Sequence, residues 1–215
     1  REQELRDAAE VLGVDRLEIL GYRDSGMDGE PSNDDPECFW QADVEAAAAR
    51  VAEILGEESP DLLTVYDSHG GYGHPDHIQV HRVGVRAAEL AGVTRVFEAT
   101  RNRDAMRAMA DLDIEGIEID EDMALDREEM RHTEVGTPDS EITHAIDVSD
   151  VADRKRRAMA AHRSQITEDS FFMAMPDHVF EVAFGTEWFV LRGTTRAGRP
   201  QLTDLFEETS SEETS

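Results

Sequence analysis

Apolar residues recur along this chain with two spacings, and the switching between them predicts alternating helices and strands. Leu5, Ala8, Ala9 and Leu12 fall three and four apart, which places them on one face of a helix over Leu5–Leu12. Arg16–Leu20 reads as a short strand, and the alanine-rich run Trp40–Leu55 as a second helix. Asp61–Tyr66 is a predicted strand whose apolar core, Leu62 to Tyr66, suits a buried position. Pro75–Ala91 follows as a helix, Thr94–Ala99 as a strand and Asn102–Met109 as a helix. Residues 111–141 are acidic and poorly periodic, and read as a surface excursion. Ile142–Val148 predicts a strand, Val151–His162 a helix, Phe171–Met175 a short helix and His178–Leu191 extended structure. Strand alternating with helix argues an α/β sandwich with a mostly parallel sheet. No repeat or boundary interrupts the pattern, so residues 1–206 read as one domain. An acidic, serine-rich tail over 207–215 is expected to be disordered.

The punctuation between elements carries the candidate chemistry. After the 61–66 strand comes Asp67-Ser68-His69-Gly70-Gly71-Tyr72-Gly73-His74-Pro75-Asp76-His77. Its glycines allow a sharp turn and a close approach to a ligand. Pro75 suits the first turn of a helix, where its missing N–H is no loss. His74, Asp76 and His77 therefore stand at the carboxyl end of a strand, where open α/β sheets bind ligands. Two histidines three apart suit a metal site, although a catalytic zinc wants three protein ligands. His77 and His81, four apart on one helix face, form a rival pair, and surface histidines on a polar helix are the plain alternative. The glycine run matches neither G-x-G-x-x-G nor G-x-x-x-x-G-K-[ST] and holds no lysine or arginine, which argues against a phosphate cradle. A second loop, residues 21–38, is long enough to suggest function. Its Arg23 and Asp24 are candidates to line a polar pocket for a hydroxyl-rich ligand, with an ordinary turn as the alternative. His162, at a predicted helix end, suits a capping role.

Composition narrows the partners. The chain has 215 residues, enough for a real core, and 49 Asp and Glu against 21 Lys and Arg, for a net charge of −28. That charge disfavours nucleic acid and anionic membranes as partners. No apolar run approaches the roughly 20 residues of a membrane span. The first residues, Arg1-Glu2-Gln3-Glu4-Leu5, lack the apolar core of a signal peptide and an initiator methionine, so the chain is expected to be a fragment whose beginning is missing. The single cysteine, Cys38, excludes an internal disulfide and a cysteine-rich zinc site, and no basic residue flanks it to make it a nucleophile. A cytoplasmic location is expected. Dense carboxylates with a single lysine, Lys155, suggest a halophile's cytoplasm, where salt screens like-charge repulsion. The melting temperature should accordingly rise across about 0.05, 0.5 and 2 M KCl as the Debye length contracts. A flat or falling series in thermal melts would remove the halophile reading.

Taken together, Leu20-Gly21-Tyr22-Arg23-Asp24-Ser25-Gly26-Met27, Thr64-Val65-Tyr66-Asp67 and Gly70-Gly71-Tyr72-Gly73-His74-Pro75-Asp76-His77 resemble the PIG-L (LmbE-like) zinc-dependent N-deacetylases. Within them the chain is most similar to the mycothiol-pathway branch of deacetylases and S-conjugate amidases. Ala161-His162-Arg163-Ser164-Gln165, Phe171-Phe172 and Thr186-Glu187-Trp188-Phe189 are also similar to that group. The resemblance implies a Rossmann-like three-layer sandwich and hydrolysis of an N-acetyl group on a glucosamine-type sugar conjugate, a small-molecule partner. An S-conjugate amidase and a non-catalytic sugar-binding relative are the alternatives. It implies Zn²⁺, or a similar divalent ion, held in part by His77. It implies that His74 stabilises the oxyanion and protonates the leaving amine, that Asp76 orients His74, and that Tyr72 helps polarise the carbonyl. Arg23 and Asp24 match the sugar-binding loop. The family's A-H-P-D-D-E loop, with two further zinc ligands and the general base, is not in this sequence, so the fragment alone is expected to be inactive.

Overall fold

A computed structural model describes residues 1–111, 127–167 and 170–207. Most of the expected acidic excursion, 112–126, and the tail beyond residue 207 lie outside the described residues. The chain falls into two compact units, one of Arg1–Gly21 with Ile146–Glu187 and the other of Tyr22–Ala145 with Trp188–Ser215.

The first unit is helical. α1 (Glu2–Leu12) ends at Gly13, whose left-handed φ of 77° lets its N–H return to the last carbonyls. Glu4 on α1 accepts from the Ser164 N–H at 2.9 Å and from its Oγ at 2.6 Å. Residues 16–20, expected as a strand, form no ladder among the described residues. Arg16 instead pairs with Glu18 at 2.9 Å, and Ile19 stays 37% exposed.

Two more helices of this unit are α5 (Ala152–Ala161) and α6 (Asp177–Phe184). His162 closes α5, with its carbonyl accepting from Gln165 and Ile166, which is the capping role expected of it. Arg156 of α5 reaches the Met173 and Met175 carbonyls at 2.6 and 2.5 Å and lies over the Phe180 ring. The segment 178–184 was expected to be extended and is helical. Val179 and Phe180 are buried one turn ahead of Phe184, whose ring packs on Phe180 at 4.7 Å.

The second unit holds the sheet and the elements around it. α2 (Val44–Glu58) starts later than expected, because Phe39–Gln41 forms a 3₁₀ turn and Asp43 caps the helix by accepting from Ala46 N–H at 2.8 Å. β1 (Leu63–Tyr66), α3 (Pro75–Ala91) and β2 (Val96–Thr100) form a strand–helix–strand unit, with β1 and β2 parallel from Leu63↔Val96 to Tyr66↔Ala99. α4 (Arg103–Met109) follows, capped by Asn102 accepting from Ala105 N–H at 3.0 Å. β3 (His144–Asp147) and β4 (Thr186–Leu191) complete the order β1-β2-β4-β3.

The sheet is mixed and not mostly parallel. β4 runs antiparallel to β2, from Phe97↔Leu191 to Thr100↔Trp188. Parallel pairing needs a crossover, which α3 supplies between β1 and β2.

Alanines let the helices of this unit approach closely. Ala47, Ala48 and Leu55 of α2 pack with Val83 and Ala87 of α3. The other face of α3 sets Ala88 against Val65 and Val96. Gly84 is needed at that contact, since a Cβ there would sit 2.5 Å from Val65 Cγ1. His144 belongs to the core. It is fully buried, edge-on to Phe97, with Nδ1 2.8 Å from Thr143 Oγ1. Burial holds its imidazole below the usual pKa, and the Arg95 charge adds to that. Cys38 is likewise fully buried. No described helix is long and apolar enough to cross a membrane.

Candidate active site

The site is built on the carboxyl ends of β1 and β2. Asp67 follows β1 and is 3% exposed, so its carboxylate must be matched by donors. Oδ1 accepts from the His69 and Gly71 N–H groups at 3.1 and 2.9 Å, and Oδ2 from Thr100 Oγ1 at 2.6 Å. Thr100 ends β2 and also contacts Thr137 Oγ1 at 2.8 Å. One buried carboxylate thus fastens the glycine turn to both strands.

Gly70 is the tightest point of that turn. Its φ is +65°, and a Cβ there would lie 2.7 Å from Ile78 N and 2.9 Å from His77 Cβ. Its carbonyl faces His77 Nδ1 at 3.2 Å. Gly70→Ala should therefore cost about 2–3 kcal/mol, from left-handed strain plus the clash. Gly92→Ala, at a left-handed φ of +75° and ψ of 20° but in open space, should cost only about 1–2 kcal/mol. Urea unfolding of both variants reads the difference, and equal losses would mean that the clash relaxes at no cost.

The Gly70 carbonyl fixes the state of His77. A carbonyl only accepts, so Nδ1 carries the proton and Nε2 keeps a lone pair. Burial is the main influence holding this imidazole below its usual pKa, with the His74 charge acting the same way and the Gly70 bond opposing. A neutral ring anchored through Nδ1–H to a backbone carbonyl is the usual condition of a metal-ligating histidine. The ring stacks on Tyr66 with centroids 4.0 Å apart and 5° between planes. His74 stacks on its other side at 4.8 Å. Tyr72 stands edge-on to both rings, at 6.2 Å from His74 and 5.2 Å from His77, is 46% exposed, and carries the Arg101 guanidinium 5.4 Å over its face.

His74 occupies the N-cap of α3, and its Nδ1 accepts from the Asp76 N–H at 3.1 Å. Pro75 takes the first helical position, as its missing N–H allows. The Asp76 carboxylate turns toward the 22–38 loop, where Ser25 donates to both of its oxygens. Asp24, Asp76 and His74 each place one candidate ligand atom within 4.8 Å of the others, a grouping that could hold a cation. Of the predicted residues, the structure therefore gathers Asp24, Tyr72, His74, Asp76 and His77. Arg23 is held elsewhere, at 3.0 Å from Asp35 and 2.8 Å from Glu37, and is 64% exposed. His81 turns to the sheet, with Nδ1 donating to the Tyr66 carbonyl at 3.0 Å.

Sequence reasoning missed Ser25, Tyr66, Asp67 and Thr100. Asp67 carried a local signal, an aspartate before a serine–glycine turn at a strand end, which favours Asx bonding to the following N–H groups. Ser25 and Thr100 carried none.

Comparison with known proteins gives a consistent result. The family model described as GlcNAc-PI de-N-acetylase (PIG-L) matches residues 1–88. A protein of Acidothermus cellulolyticus named 1D-myo-inositol 2-acetamido-2-deoxy-alpha-D-glucopyranoside deacetylase is 40% identical over 219 residues, spanning 96% of this chain and 73% of its own length. Proteins of the same name from Thermomonospora curvata (37% identical, 87% of this chain and 68% of the relative) and Geodermatophilus obscurus (35%, 94% and 74%) match similarly.

Proposed function

This chain belongs to the GlcNAc-PI de-N-acetylase (PIG-L) family, and on that premise we propose that it is a metal-dependent amide hydrolase. Its substrate is the 2-acetamido group of a glucosaminyl-inositol-type conjugate, and its products are acetate and the free amine. The 40% identity to a deacetylase of that specificity, across 96% of this chain, carries the reading. We further infer a single Rossmann-like domain over residues 1–206 and a cytoplasmic setting.

His77 would hold the metal through Nε2, the nitrogen left free by its bond to Gly70. Zinc in such a site polarises an amide carbonyl and brings the pKa of a bound water to about 7. The groups this chain supplies act on the carbonyl oxygen and the leaving nitrogen. His74, whose Nδ1 accepts from the Asp76 N–H, offers Nε2–H to the carbonyl oxygen as charge develops there, and relays to the departing nitrogen the proton that the attacking water releases. Asp76 holds His74 in place, and Tyr72, half exposed beside both rings, closes on the carbonyl. Asp24 meets the sugar hydroxyls.

The discriminating experiment compares two substrates with the full-length protein: N-acetyl-glucosaminyl-inositol and a larger mycothiol S-conjugate. The deacetylase reading expects the higher kcat/KM on the acetyl substrate. The reverse order would assign the chain to the amidases.

A further inference from the structure

We propose that Ser25 is the positioning residue for the Asp76 carboxylate, which it holds beside His74, and that it couples the 22–38 loop to the start of α3. The inference rests on the hydrolase reading above.

Ser25 is fully buried, although it lies in a loop. Its Oγ donates to Asp76 Oδ1, and its backbone N–H donates to Oδ2 at 3.1 Å. One residue thus engages both carboxylate oxygens and fixes the plane of the group. The hydroxyl has one proton, and its direction is set from the other side, because Ser25 Oγ accepts from the Trp40 N–H at 2.9 Å. The Ser25 carbonyl is held as well, by Ser32 Oγ at 2.7 Å and Asn33 Nδ2 at 2.6 Å. Every polar atom of Ser25 is therefore committed, and its position is determined by Ser32, Asn33, Trp40 and Asp76.

The carboxylate it holds has a specific need for this. Asp24 brings a second carboxylate oxygen within 4.8 Å of Asp76 and His74. Two adjacent carboxylates repel, and a short side chain can turn away. The paired donors of Ser25 hold Asp76 in place beside His74 against that repulsion. Because Asp24 precedes Ser25 directly, a sugar engaging Asp24 acts on the residue that fixes Asp76. The loop that meets the substrate and the group that orients the proton donor share one hinge point.

The test uses the full-length protein and free-amine release from N-acetyl-glucosaminyl-inositol. Ser25→Ala should lower kcat about 10- to 100-fold, the worth of a hydrogen bond to a charged group expressed in the transition state. KM should stay within about twofold, since Ser25 does not reach the substrate. Ser25→Cys, which keeps the buried volume and a weak donor, should give an intermediate kcat and serves if Ser25→Ala does not fold. In an Asp76→Asn background the same substitutions should change kcat by less than about twofold, because residues acting as a unit are not additive. A merely structural Ser25 would instead lower the melting temperature, leave kcat per folded molecule unchanged and add independently to Asp76→Asn. That result, or a raised KM with unchanged kcat, overturns the inference while the wild type stays active. A wild type without activity overturns the hydrolase reading and this inference with it.

Discussion

His77→Ala in the full-length protein is expected to lose its metal and, with it, activity. The loss should exceed the roughly 10- to 100-fold seen when only an outer partner of a metal ligand is removed. The reason is local. His77 Nδ1 is committed to the Gly70 carbonyl, its ring is clamped between Tyr66 and His74, and burial keeps it neutral. Among the described residues no hydrogen-bond partner takes Nε2 of His77, which leaves that nitrogen available to a metal. The measurement is metal content by elemental analysis after dialysis, alongside turnover. Retention of stoichiometric metal by His77→Ala would shift the site to the neighbouring group of Asp24, His74 and Asp76.

His74→Ala gives the complementary result. Its kcat should fall by about 10²–10³, the usual cost of removing one donor to a developing oxyanion, with the metal retained. His74 holds the cap position of α3 through Nδ1, which directs its other nitrogen away from the helix. Removing the side chain also frees the Asp76 N–H, so stability should fall by about 1 kcal/mol, as for other cap deletions. Activity is therefore to be expressed per folded molecule. Loss of metal from His74→Ala, with retention in His77→Ala, would reverse the two roles.

The parts of this molecule that were legible in the sequence are those set by near neighbours. β1, the glycine turn and α3 follow one another within 63–91, and apolar spacing, Pro75 and the glycines specify each locally. The pair His74 and His77 was visible for the same reason. Strand direction was not, because it depends on distant partners. β4 lies about ninety residues from β2, and nothing in Thr186–Leu191 states which way it pairs. Arg16–Leu20 has a strand's composition but forms no ladder among the described residues, so its local preference decides nothing. Asp177–Phe184 reads as β-prone from its valines and phenylalanines, yet Val179 and Phe180 can be buried together on a helix and are.

The support of the site was hidden by the same separation. Ser25 meets Asp76 across 51 residues, and Thr100 meets Asp67 across 33. No periodicity spans such gaps. Asp24 was read as a ligand residue from its loop, and it does stand beside His74 and Asp76. Arg23, read the same way, has its guanidinium engaged by Asp35 and Glu37, two acids of the same loop that the sequence placed near it without showing the pairing.

The most direct test of the account is the release of free amine from N-acetyl-glucosaminyl-inositol by the full-length protein, before and after removal of metal with a chelator. The account predicts turnover that disappears on chelation and returns when Zn²⁺ or a similar divalent ion is restored. Turnover that survives complete metal removal, or an intact, metal-loaded protein that binds the sugar and never cleaves it, would contradict it.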